Sequence, residues 1–218
     1  MSSTAVSRQA VRRTSWGTAV LLGLALISAA VFIGGFALPY FGLDQQSFGP
    51  YWPRRGWLLL HIGGGIVALT LGPFILWLGL SRRRMSLHRA LGVTYMGSIV
   101  LSSIAAFYLA FHTDFGWVFG TGLSGLAVAW IVTTGMAFVS IRKRLIAQHQ
   151  EWMIRSYVVT FAFVNFRIFV GIMQASGVGT LVEQLSSASW FCWAIPLLIT
   201  EVALQGKKIF KASPPPAG

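Results

Sequence analysis

Apolar residues fill six long runs, at 17–40, 57–80, 90–112, 119–141, 156–175 and 187–206, and polar residues collect in the short stretches between them. Each run approaches the roughly 20 residues that a helix needs to cross about 30 Å of hydrocarbon at about 1.5 Å per residue. A helix also satisfies its own backbone hydrogen bonds, which lipid cannot do for it. The pattern therefore predicts an all-α polytopic bundle of six transmembrane helices. One domain spans residues 16–206, with tails at 1–15 and 207–218. The first run is longer than the roughly 7–15 apolar residues of a cleavable signal, and no small-x-small site follows Phe36-Ala37-Leu38-Pro39, so it reads as an uncleaved anchor.

Composition narrows the class further. A chain with 55% apolar and 10% charged residues has too few polar groups to cover a soluble globule. Charge then orients the bundle. Arg8, Arg12 and Arg13 precede the first run, Arg82, Arg83, Arg84 and Arg89 lie between the second and third, and Arg142, Lys143, Arg144 and Arg155 between the fourth and fifth. Lys207, Lys208 and Lys211 follow the sixth, whereas the alternate connections hold Asp44, Asp114 and Glu183 with only Arg54 and Arg55. The positive-inside rule thus places both termini in the cytoplasm. A nucleic-acid partner is not indicated, because the basic residues are spread over four membrane-adjacent segments with no soluble fold to present them. Anionic lipid headgroups account for them.

Smaller features fill in the bundle. Tyr40, Tyr51, Trp52, Trp57, Trp117 and Trp190 mark the outer interface. Ser98, Ser102, Ala106 and Ala110 on the third helix, and Gly116, Gly120 and Ser124 entering the fourth, form small-residue stripes that let backbones approach closely. Cys192, the lone cysteine, lies inside the last run, which excludes an intrachain disulfide. Pro73 removes the partner of the Leu69 carbonyl, and Gly72-Pro73 is expected to widen a cavity toward the fifth helix on the cytoplasmic half.

Candidate chemistry rests on four histidines, the residues able to ligate haem iron or exchange a proton near neutral pH. His61 lies about one turn inside the outer end of the second helix and His112 ends the third on that side. His88 opens the third helix and His149 precedes the fifth on the cytoplasmic side. This gives one pair per face, and a membrane haem b needs two imidazoles from facing helices. Gly65 and Gly92 follow His61 and His88 by four residues, leaving room beside each ring on its own helix face. Deeper still, Arg167 in the fifth helix and Glu201 in the sixth are expected to form an ion pair, since charges at such depth need partners. A haem propionate or an anionic lipid or quinone headgroup is a further use for Arg167.

The run from His61 to Phe74, then Leu87-His88-Arg89 with Gly92 and Tyr95, then His149 to Tyr157, resembles a bacterial membrane family filed as domain of unknown function 2306. The resemblance covers residues 57–175. It implies a multi-helix inner-membrane protein in which His61, His88, His149, Trp152, Arg155 and Arg167 match motif positions, while His112 does not. Together these readings lead to a b-type haem or quinone-linked electron carrier of a bacterial inner membrane. Its metal ligands would be His88 and His149, with His61 on the outer side and His112 the weakest candidate. The expected partners are membrane lipids, a quinone or redox partner and a second copy of the chain; the alternative function is a non-catalytic assembly or interaction protein or a small-solute transporter.

Overall fold

The computed structural model describes residues 15–211; the arginines at 8, 12 and 13 and the Pro-rich tail at 212–218 lie outside the described residues. Eight α-helices account for most of them: α1 (Trp16–Phe32), α2 (Gln45–Phe48), α3 (Arg55–Ser81), α4 (Met85–Phe111), α5 (Trp117–Arg142), α6 (Ile146–Thr160), α7 (Ala162–Ala175) and α8 (Leu181–Lys211). Counted with the bent pair α6–α7 as one span, the described residues form an all-α bundle of six membrane-crossing elements. Ser15 caps α1, its Oγ accepting the Thr18 N–H. Asp44 caps the short α2, accepting from Ser47 Oγ–H and N–H at 2.5 and 2.8 Å, and these bonds hold its carboxyl below the ordinary carboxylate range.

Three boundaries depart from the apolar runs. The first run is not one helix to residue 40: α1 stops at Phe32, a wide π-type turn covers Ile33–Ala37, and a tight 3-10 turn follows over Leu38–Gly42. Gly34-Gly35 and Pro39 explain the change, since neither residue type favours an α-helical interior. The last helix begins at Leu181 and runs on through Lys207 and Lys208, so the tail expected from residue 207 is helical up to Lys211. Most consequential is the fifth run, which begins ten residues earlier than hydropathy suggests and bends by 42° between α6 and α7. Its first turns carry Gln148, His149, Gln150, Glu151 and Arg155, polar enough to hide a helix from an apolar criterion. The bend falls where Thr160 Oγ1 donates to the Ser156 carbonyl at 2.8 Å, a bond to residue i−4 that competes with the helical ladder.

The α3–α4 hairpin is the tightest pairing, and glycine makes it so. A Cβ on Gly64 would stand 2.7 Å from the Ser98 carbonyl and 2.9 Å from Ser102 Cβ, so two members of the expected α4 stripe face it directly. Gly120 does the same against the Ala110 carbonyl, at 2.6 Å. Gly64→Ala is therefore expected to push α3 from α4 and to cost about 1–3 kcal/mol through overpacking, read as a lower melting temperature in detergent. Gly63→Ala is the control, because its Cβ meets nothing within 4 Å. At the centre, Ala68, Ile75, Tyr95, Ile99, Leu126, Trp130, Val159 and Ala162 form one buried cluster joining α3, α4, α5, α6 and α7.

Candidate functional site

The arginines and lysines of the α3–α4 and α5–α6 turns and of late α8 define the basic end of the bundle. His88 stands one turn into α4 and His149 one turn into α6, and both are half-buried there. Each ring is tied to the neighbouring helix by the same atom. His88 Nδ1 lies 3.1 Å from the Ile75 carbonyl of α3, and His149 Nδ1 lies 2.8 Å from the Ala137 carbonyl of α5. A carbonyl only accepts, so Nδ1 is the protonated nitrogen in both rings and Nε2 carries the free lone pair. Among the described residues neither Nε2 has a hydrogen-bond partner. The ring centres stand 6.3 Å apart with planes at 87°. Two imidazole nitrogens bound at about 2.0–2.1 Å on opposite sides of one metal would put their ring centres about 6 Å apart. The His88 ring also rests on Gly79, where a Cβ would approach its Cε1 to 3.0 Å, while a Cβ on Gly92 would meet nothing within 4 Å.

Beside this pair an ion network ties α6 to α8. Arg155, buried, donates from Nε and Nη2 to Glu201 Oε2 at 2.8 and 2.5 Å, with its Nη1 3.7 Å from Glu151 Oε2. Its guanidinium stacks over Trp152 at 4.7 Å, and Lys208 Nζ reaches Glu151 at 2.8 Å. The expected Arg167–Glu201 ion pair is thus replaced by Arg155–Glu201. The reason is the early start of α6. That start puts Arg155 inside the bundle at the level of Glu201, whereas Arg167 is twelve residues further on, about 18 Å along a helix. The same separation corrects the propionate role: Arg167 belongs to the other half of the bundle, away from His88 and His149.

In that half, His61 is buried, its Nδ1 3.0 Å from the Ser102 carbonyl, while Ser102 Oγ donates to the His61 carbonyl at 2.7 Å. His112 does not join it. It is exposed at the end of α4, stacked on Tyr108 at 4.2 Å with Nδ1 2.8 Å from the Tyr108 carbonyl. His112 lies ten residues past Ser102, about 15 Å along the helix, so the outer pair of imidazoles does not form. His61 instead lines a cavity of about 200 Å³ shared with Gly65, Trp130, Thr160, Phe163 and Arg167. The space expected beside Gly72-Pro73 is filled: the Tyr157 ring occupies it, and its hydroxyl donates to the Leu69 carbonyl that Pro73 leaves free, at 3.2 Å.

A hydroxyl network that involves none of the histidines lies between the two halves. Tyr95 OH meets Ser156 Oγ and Thr160 Oγ1, both at 2.9 Å; Trp130 Nε1 donates to Thr160 Oγ1 at 2.8 Å; Thr134 Oγ1 meets Ser156 Oγ at 2.7 Å. Ser156 and Thr160, four apart in an apolar stretch, were its legible signal, since they share one helix face.

These features define a polytopic α-helical membrane protein with paired imidazoles at its basic end and a separate cavity in its opposite half. The chain belongs to the family described as predicted membrane protein, domain of unknown function 2306, whose family model matches residues 58–204. The match takes in most of α8, and with it Glu201, beyond the 57–175 of the resemblance. No curated protein and no solved structure matches the chain.

Proposed function

We propose that this protein is an electron carrier of a bacterial inner membrane, holding a b-type haem through His88 and His149 at the cytoplasmic end of its bundle. One observation carries the reading: two half-buried imidazoles from different helices, each with Nδ1–H on a backbone carbonyl, stand 6.3 Å apart with both Nε2 atoms free. Metal-bound histidines typically donate their second nitrogen in this way, which fixes the tautomer and makes Nε2 a better ligand. The open space beside Gly92, one turn from His88, supports room for a flat ring there.

Haem iron bound at this pair would supply one-electron chemistry. The protein's part is orientation and shielding. Ile75 and Ala137 hold the two rings in position through their carbonyls, and the Arg155–Glu201 contact clamps α6, and with it His149, onto α8. The basic turns around the pair favour an anionic cofactor edge and an acidic redox partner on that side.

The test is the absorption spectrum of the detergent-purified protein, oxidised and then dithionite-reduced. A Soret band with sharp reduced α and β bands is expected, abolished in His88→Ala and His149→Ala and retained in His112→Ala. A featureless spectrum from folded protein produced with added haem overturns the reading and leaves an interaction or transport role in front.

A further inference from the structure

The cavity at His61 has a size, a polarity and an entrance that together specify a ligand. At about 200 Å³ it exceeds the roughly 150 Å³ of an engineered apolar cavity that admits benzene. It falls below the roughly 300–1,000 Å³ of pockets for drug-sized molecules. One substituted six-membered ring fits, and a tetrapyrrole does not.

Its wall is apolar apart from Tyr40, Tyr51, His61, Trp130, Thr160 and Arg167, and two of these are committed to hydrogen bonds within the bundle. Trp130 Nε1 donates to Thr160, and Thr160 donates to the Ser156 carbonyl. Tyr40 and Tyr51 add two phenols, and His61 and Arg167 supply an imidazole and a guanidinium. With the His61 Nδ1 proton on the Ser102 carbonyl, its Nε2 offers a lone pair to a hydroxyl. Arg167 offers only donors, and among the described residues no carboxylate pairs with it; its guanidinium lies 4.9 Å from the centre of the Phe36 ring. Between them, His61 and Arg167 present one acceptor for a hydroxyl and one donor array for a carbonyl or oxyanion.

The entrance faces the bilayer. Phe36 and Arg167 both line the cavity and both are exposed on the outer surface of the bundle, so the mouth lies between α7 and the π-type turn that follows α1. An apolar tail attached to the ring would pass through that mouth into hydrocarbon.

We propose that this cavity binds the headgroup of a membrane quinone or quinol, a single ring oxygenated at opposite ends, between His61 and Arg167 with its tail leaving past Phe36. The site is separate from the His88–His149 pair and does not depend on a metal there.

The experiment is a calorimetric titration of the full chain in detergent with a ubiquinone bearing one isoprene unit and with its quinol. Dioleoylphosphatidylglycerol is titrated in parallel. Saturable one-to-one binding of the quinone or quinol is expected, weakened by about tenfold or more in Gly65→Leu and in Arg167→Gln. Gly65 is chosen because its Cβ points into open space, so a larger side chain there fills the cavity without striking the backbone. Unchanged affinity in either variant, or titration by the phospholipid alone, overturns the proposal. The visible spectrum recorded on the same Gly65→Leu sample reports the basic-end pair independently, so failure at one site is distinguishable from failure at the other.

Discussion

Glu151→Ala combined with Glu201→Ala is expected to destabilise the bundle by about 3–5 kcal/mol, the range for leaving one member of a buried ion pair uncompensated. The reason is an asymmetry of burial. The Arg155 side chain is only 8% exposed, whereas those of Glu201 and Glu151 are 42% and 23% exposed. Removing both carboxylates strands a buried cation stacked on Trp152, and a guanidinium cannot discharge itself by losing its proton. Glu201→Ala alone should cost less, about 1.5–3 kcal/mol, because Glu151 stands 3.7 Å away and can close on Arg155. Arg155→Ala should be milder than the double glutamate variant, since the carboxylates it leaves behind can reach water. For a chain of this size each kcal/mol moves the melting temperature by about 2–4 °C, so the double variant should melt on the order of 10 °C lower in detergent. If it melts with wild type while Arg155→Ala does not, the network is not what holds α6 to α8.

Gly72→Ala is expected to be nearly as damaging, by a different route. An added Cβ would sit 2.1 and 2.2 Å from two ring carbons of Tyr157. The ring is not free to yield, because its hydroxyl satisfies the Leu69 carbonyl orphaned by Pro73. Displacing it adds an unsatisfied carbonyl within the bilayer to an overpacking cost of about 1–3 kcal/mol. Against this, alanine gains only roughly 0.5–1 kcal/mol over glycine in a helix. The net loss, about 3 kcal/mol, should appear as a lowered melting temperature and poor recovery from the membrane. Tyr157→Phe isolates the hydrogen bond and should cost about 1 kcal/mol. Adding Tyr157→Ala to Gly72→Ala removes the clash, so the double variant should cost less than the two single changes summed. Strict additivity would mean that the notch and the ring do not act as a unit.

Both predictions turn on features that a linear reading addresses only in part. Pro73 and the Leu69 carbonyl were legible, because the consequence of a proline is local and falls four residues back. The occupant of the space beside them was not, since nothing in one helix says that a tyrosine on another, far along the chain, fills the notch. The ion pair shows the same division. That Glu201 needs a cation follows from the cost of charge near hydrocarbon, but the choice of Arg155 over Arg167 depended on where α6 begins. Its polar first turns concealed that start.

What the amino-acid sequence determined by itself was the class and plan of the protein. The number of spans, their approximate limits and the segregation of basic residues to alternate turns all follow from one-dimensional rules, because burial in a bilayer depends on the length and polarity of contiguous segments. The candidate imidazoles at 61, 88 and 149 were legible for the same reason, as were the small residues that let helices meet. Only the tertiary structure decided the pairings. It brought the rings of His88 and His149 to 6.3 Å with their Nδ1 atoms turned onto backbone carbonyls, set His112 apart on the surface, and placed Arg167 at the wall of a cavity with His61. Those outcomes depend on helix rotation, on the bend at Phe161 and on which backbones approach at a glycine. Each is settled by contacts between residues far apart in sequence, where periodicity along the chain carries no information.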